Sequence, residues 1–249
     1  MPSIIATILV RMGSERLPGK HMRIASGKPL LGHMLERVQR AEKLGGIIVA
    51  TPESTENDVI EELCQSYKIP CFRGSEDDVL GRMLGALEDQ NADIGVQIYG
   101  DGYLIDPAII DHCIETYLKE QSYDLVGNDL KHTFPSGQFV EAFSVSALRN
   151  SANRTQDPAV REHGTLFVRQ HPDLYALNNI EAQDPLRRPD IHLDVDTQED
   201  AEVIESILNH FAPRNDFTLA EIIAFLDANP KIAQHNQHVQ KRWKQYQSS

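Results

Sequence analysis

The 249-residue sequence predicts an α/β fold: a largely parallel sheet covered by helices on both faces. Three features predict it. Short β-branched, apolar runs alternate along the chain with segments whose apolar residues recur at helical spacing. Gly, Pro and helix-capping residues punctuate the junctions. Hydrophobic residues make up 41% of the chain, enough to fill a full core.

Residues 3–10 form the first such run, a buried strand. A polar loop containing Gly and Pro follows at 11–20. After Pro29 a helix is marked by Leu30, Leu31, Met34, Leu35, Val38 and Ala41 on one face. Gly45 and Gly46 close it, and 47–50 is a second buried strand. Val59, Ile60, Leu63, Cys64 and Tyr67 mark the next helical face. Residues 75–78 read as a capping box opening a helix through Val79, Leu80, Met83, Leu84 and Leu87. A strand at 94–98 ends at Gly100 and Asp101, and Asp106 with Pro107 begins a helix as N-cap and first-turn proline. The middle, about 123–180, is less regular. It holds a strand at 139–145 and another near 174–177, and is expected to leave the sheet and wall off a second substrate. The chain returns as a strand at 191–195. Thr197 then caps a helix carrying Ala201, Ile204, Ile207 and Leu208, and Thr218 with Glu221 forms a capping box before Ile222, Ile223 and Leu226. The tail, 230–249, is polar and helix-compatible. This divides the chain into a main domain at 1–212 and a C-terminal helical extension at 213–249.

The net charge of −13 disfavours nucleic acid and anionic membrane as partners. No apolar stretch approaches the roughly 20 residues that span a bilayer, and the N-terminal apolar run is too short, with the wrong flanks, for a signal peptide. Cys64, Cys71 and Cys113 lie among apolar residues without metal-site spacing. They read as reduced core thiols of a cytoplasmic protein.

In parallel sheets, ligands sit beyond the carboxyl ends of the strands. The loops after residues 10, 50 and 98 are therefore expected to share one crevice, bringing Arg11, Thr51 and Asp101 together. The 11–20 loop holds Arg11, Arg16 and Lys20 with Gly13 and Gly19. Glycine lets backbone amides approach an anion, and the cations neutralise phosphates. The spacing is not that of a Walker loop: five residues separate Gly13 from Gly19, and His21 follows Lys20. Composition alone leaves a solvated turn equally open. Asp101 and the pair Asp194/Asp196, which share a strand face, suit Mg²⁺, a cation that takes hard oxygen ligands together with substrate phosphates. A turn residue and helix-entry acids are the ordinary alternatives.

The loop Arg11-Met12-Gly13-Ser14-Glu15-Arg16-Leu17-Pro18-Gly19-Lys20 resembles the SpsF-like branch of the acylneuraminate and CMP-Kdo cytidylyltransferase superfamily. The resemblance continues through Val49-Ala50-Thr51-Pro52, the run from Phe72 to Arg82, Gly100-Asp101, Leu104-Ile105-Asp106-Pro107, Arg161-Glu162-His163-Gly164-Thr165 and Val195-Asp196-Thr197. It covers nearly the whole chain. It implies a nucleotide-diphospho-sugar transferase (GT-A-like) three-layer fold, CTP as donor, Mg²⁺ dependence, an acidic sugar as acceptor and a homodimer. By position, Arg11, Met12, Gly13, Ser14, Arg16, Lys20, Thr51, Arg73 and Asp101 would meet the nucleotide. Asp101, Asp196 and Asp194 would hold metal. Arg82, Glu141, Arg161, Glu162 and His163 would face the sugar, although Arg73 and Arg82 have acids nearby with which to pair. The chain departs from the pattern at Gln97 and Tyr103, where Arg and Pro are commoner, and at Asp194, where Thr is. A glycosyltransferase with Asp194 and Asp196 as its acid pair, or a silent nucleotide-binding protein, are the competing readings.

Overall fold

A computed structural model describes residues 2–119 and 122–241. In chain order the elements are β1 (Ile4–Leu9), a 3₁₀ turn (Lys20–Met22), β2 (Ile24–Ala25), β3 (Lys28–Pro29), α1 (Leu30–Val38), β4 (Gly46–Pro52), a second 3₁₀ turn (Thr55–Asn57), α2 (Asp58–Ser66), β5 (Cys71–Gly74), α3 (Val79–Asp89), β6 (Ile94–Tyr99) and α4 (Pro107–Lys119). Then come β7 (Leu125–Gly127), β8 (Val140–Ser144), α5 (Val145–Arg154), α6 (Pro158–Arg161), α7 (Leu166–Gln170), β9 (Leu177–Asn179), α8 (Gln198–Phe211), α9 (Leu219–Ala228) and α10 (Pro230–Ala233).

One seven-stranded sheet runs in the order β5-β4-β1-β6-β8-β7-β9. β8 is antiparallel to both its neighbours, and every other pairing in the sheet is parallel. Successive residues of a strand face opposite sides. On β1, Ala6 and Ile8 pack with α1, α2, α4, α8 and α9, while Ile5 packs with α3 and α5 on the other side. That is the expected three-layer α/β/α arrangement. No helix among the described residues is long and apolar enough to cross a membrane.

The middle segment leaves the sheet only in part, with α5, α6 and α7 lying outside it. β7, β8 and β9 extend it, and β7 and β9 are too short for a period to show. The strand expected near 174–177 begins only at Leu177. Residues 191–195 form no ladder strand. Their backbone is shared between loops instead: a bridge pairs Ser136 with His192, and Val195 N donates to Asp101 O at 3.0 Å. Ser75 does not cap α3; Asp78 does, its carboxylate accepting from Gly81 N at 2.8 Å. Both later capping boxes form, Thr197 with Asp200 and Thr218 with Glu221. The described part of the 213–249 segment carries α9 and α10, and its Phe217, Leu219, Ile222 and Leu226 belong to the main core. Residues 242–249 of that tail lie outside the described residues. Cys64, Cys71 and Cys113 are free thiols.

Candidate active site

A cavity of about 400 Å³ opens at the carboxyl ends of β1 and β6. The 11–20 loop forms one wall. It curls around the Met12 carbonyl, which accepts from Ser14 N at 2.9 Å and Gly19 N at 3.1 Å. Gly19 has φ 71°, a backbone conformation that favours glycine. Buried Asn57 anchors the loop by accepting from Met12 N at 2.8 Å. The curl sends Arg11, Ser14, Arg16 and Lys20 into the cavity. Met12 and Gly13 shape the loop without lining the space.

Facing these cations, Asp101, Asp194 and Asp196 each bring a carboxylate oxygen within 4.8 Å of the others. Lys20 Nζ donates to Val195 O at 2.6 Å and lies 3.4 Å from Asp196 Oδ1. Arg16 donates to Asp196 Oδ2 at 2.5 Å and to Gln240 O at 2.9 Å. Burial and the two neighbouring carboxylates outweigh Lys20 and push the Asp101 carboxyl up to about 7. Asp194 is buried. Its Oδ1 accepts from Ser136 and lies 3.1 Å from Lys241 Nζ, while its Oδ2 has no partner among the described residues. An orphaned carboxylate oxygen in a three-carboxylate cluster fits the hard-oxygen demand of a divalent cation. His21 lines the same wall. Burial and Lys20 hold its pKa well below the usual value, so it is neutral and shares a 2.8 Å hydrogen bond with Tyr103. Tyr103 itself is fully buried beneath the cavity and does not narrow it.

The remaining wall comes from α3, β6 and the 129–169 region. Arg82 is buried, bonds only the carbonyls of Ser75 and Glu76, and makes no ion pair among the described residues. Burial and nearby Arg11 lower its pKa to about 10. Glu162 and His163 line the cavity, and burial lowers the pKa of His163. Glu141 sits behind this wall, fully buried, accepting from Thr165 Oγ1 at 2.5 Å and 3.5 Å from Arg169. Arg169 also donates to Asp129 Oδ2 at 2.9 Å and to the Tyr99 hydroxyl at 3.3 Å.

Three expected site residues lie elsewhere. Thr51 is inside the sheet, because β4 runs on to Pro52 and pairs Thr51 with Arg73 of β5. Arg73 clamps α2, donating to Asp58 at 2.9 Å, Glu61 at 3.0 Å and the carbonyls of Glu53 and Ser54. Arg161 is tied to Asp78 at 2.7 Å and to the carbonyls of Ala152 and Thr155. Conversely, Asn57, Gln97, Asp129, Arg169 and Lys241 were not singled out as site residues. Gln97 lines the cavity as a buried side chain whose Oε1 has no partner among the described residues. Among these five only Gln97 carried a sequence signal, its departure from the family pattern. The others are placed by contacts distant in sequence.

A family model described as cytidylyltransferase matches residues 5–241. The chain belongs to that family. The enzyme is 30% identical over 239 residues to the spore coat polysaccharide biosynthesis protein SpsF of Bacillus subtilis, covering 94% of this chain and 98% of SpsF. It is 37% identical over 117 residues to the 3-deoxy-manno-octulosonate cytidylyltransferase of Trichlorobacter lovleyi, covering 46% of this chain and 45% of that protein. Among solved structures, a cytidylyltransferase from Leptospira borgpetersenii superposes with a TM-score of 0.90 at 30% identity, covering 97% of this chain and all of that one. These relationships make the enzyme a CTP-dependent nucleotidyltransferase of the SpsF-like type.

Proposed function

We propose that the enzyme transfers CMP from CTP to an acidic sugar, a nonulosonate or a Kdo-like acid, for surface polysaccharide synthesis, with Mg²⁺ as its cation. The observation that carries this reading is the convergence of Arg11, Arg16 and Lys20 with Asp101, Asp194 and Asp196 on one cavity. The sugar's anomeric hydroxyl attacks the α-phosphorus and loses its proton to solvent, an oxygen–phosphorus bond to the sugar forms, and the bond to the pyrophosphate oxygen breaks, with its electron pair leaving on pyrophosphate. Arg11, Ser14 and Arg16 hold the triphosphate, and Lys20 offsets the charge that gathers on the departing pyrophosphate. Asp101, Asp196 and Asp194 would hold the cation, which when bound supplies charge neutralisation at the transferring phosphate. Arg16 and Lys20 rest on Asp196 in the structure, so phosphates and cation would each take over one half of those pairs.

The acidic acceptor is supported by Arg82, a buried cation in the cavity wall with no carboxylate partner among the described residues, and by the octulosonate named in the Trichlorobacter relative. The cationic loop favours nucleotidyl transfer over glycosyl transfer, because a triphosphate donor carries more charge to neutralise. The reading includes a cytoplasmic homodimer with the 123–180 region at the interface, which sedimentation in solution tests.

The functional test crosses CTP, UTP, GTP and ATP with several 2-keto sugar acids and follows pyrophosphate. Release is expected with CTP and at least one acid. Asp101→Asn and Lys20→Ala are each expected to lose about 10²- to 10³-fold in kcat while keeping a cooperative melt. Wild-type turnover by either variant refutes the assigned roles.

A further inference from the structure

We propose that the C-terminal segment at 236–241 is a strap that positions the acidic trio for its divalent cation, with Lys241 as the positioning residue. This rests on reading Asp101, Asp194 and Asp196 as the cation site. The Lys241 side chain is wholly buried. Its Nζ donates to the Asp194 main-chain oxygen at 3.0 Å and to Asp200 Oδ1 at 2.7 Å, and lies 3.1 Å from Asp194 Oδ1. These oxygens match the three hydrogens of an ammonium. Asp200 in turn accepts from the main-chain nitrogens of Asp196 and Thr197, each at 3.0 Å. One ammonium therefore fixes both ends of the 194–196 segment that carries two of the three carboxylates.

The rest of the strap repeats the pattern. Asn236 donates to His192 O at 3.1 Å and to Asp200 Oδ1 at 2.7 Å. The Gln240 carbonyl accepts from Arg16 at 2.9 Å, and the other Arg16 nitrogen reaches Asp196. The strap thus touches both the phosphate loop and the acid cluster. Lys241 holds Asp194 by its main chain and by one carboxylate oxygen, leaving the second, buried oxygen without a partner among the described residues. A ligand pinned in this way is held ready, and loss of such outer contacts lowers metal affinity about 10–100-fold. Simple electrostatics predicts the opposite, since removing a cation beside Asp194 would tighten binding of another. The two accounts therefore separate by sign.

The experiment uses the full-length enzyme and Mn²⁺, counted by electron paramagnetic resonance with and without CTP. Lys241→Met is expected to bind Mn²⁺ at least about tenfold more weakly, with metal-free CTP affinity unchanged. Truncation after Val239 also removes the Gln240 carbonyl from Arg16 and is expected to weaken both. Lys241→Met binding Mn²⁺ as tightly as wild type, or more tightly, overturns the proposal. Should Lys241→Met not fold, the wild-type enzyme still decides. Coupling is reciprocal, so Mn²⁺ with CTP is expected to slow carboxypeptidase trimming past Lys241, and a rate indifferent to Mn²⁺ overturns the proposal. Wild-type enzyme that binds no Mn²⁺ even with CTP removes the cation-site reading itself, and the strap's role falls with it.

Discussion

Arg73 and Arg82 lie in one sequence motif, yet their surroundings give them opposite tasks. Arg73 meets Asp58 and Glu61 from α2 and two carbonyls, so its charge is spent on the fold. Among the described residues Arg82 bonds only carbonyls, and it faces the cavity. Arg73→Met is expected to cost about 1–3 kcal/mol in urea unfolding, with kcat/KM of the folded enzyme near wild type. Arg82→Met is expected to raise KM at least about tenfold, the scale of one charged contact, with stability little changed. The reverse pattern contradicts the site. The sequence offered both as anion contacts, because the partners that separate them come from a helix that composition cannot dock. Asp101 gives a pH signature. Its carboxyl, raised to about 7 by burial and by Asp196 and Asp194 against Lys20, keeps a proton in the folded state that the unfolded chain has lost. Its contribution to stability is full below about pH 4 and is lost as pH rises to about 7. A cation must displace that proton. The Tm gain from Mn²⁺ is therefore expected to be larger on the alkaline side of that value than on the acid side, and equal gains on both sides contradict the assignment.

At the scale of elements, three distant segments meet at the acid cluster because glycines let their backbones touch. A Cβ on Gly102 would lie 2.5 Å from the Gly137 oxygen, and one on Gly137 would lie 2.6 Å from the Leu193 carbonyl carbon. Gly137 also has φ 78°. Gly137→Ala is expected to cost at least about 2 kcal/mol, from left-handed strain and forced separation of backbones, and to weaken metal binding with it; an unchanged melt and unchanged Mn²⁺ affinity contradict this account. Much of the element order was legible: the buried runs that became β1, β4 and β6, the helical faces, and the boxes at Thr197 and Thr218. What failed had separate causes. β7 and β9 are three residues each, and the 191–195 segment draws its hydrogen bonds from loops. The short strands leave no period to read, and the apolar alternation at 191–195 does not reveal that its partners are loops. Thr51 was misplaced because the end of β4 is set by its pairing with β5, two residues beyond the apolar run.

At the scale of the whole molecule, a chain of net charge −13 concentrates Arg11, Arg16, Lys20, Arg82 and Arg169 around one cavity. Glu15, Asp101, Asp129, Glu162, Asp194 and Asp196 line the same cavity, so a bound cation would tip its field toward an anionic substrate. The place of the 11–20 loop at the cavity was legible because it follows the first strand, and that of Asp101 because it follows β6, whereas Asp196 reaches the cluster from a segment that forms no ladder strand. Lys241 was not legible, since a polar tail carries no sign of where it docks. The measurement that tests the account most directly is a crystal structure with CTP and Mg²⁺. The account predicts the β- and γ-phosphates against Arg11, Ser14, Arg16 and Lys20, and the ion on Asp101, Asp194 and Asp196. Nucleotide bound outside this cavity, or an ion held away from all three carboxylates, would contradict it.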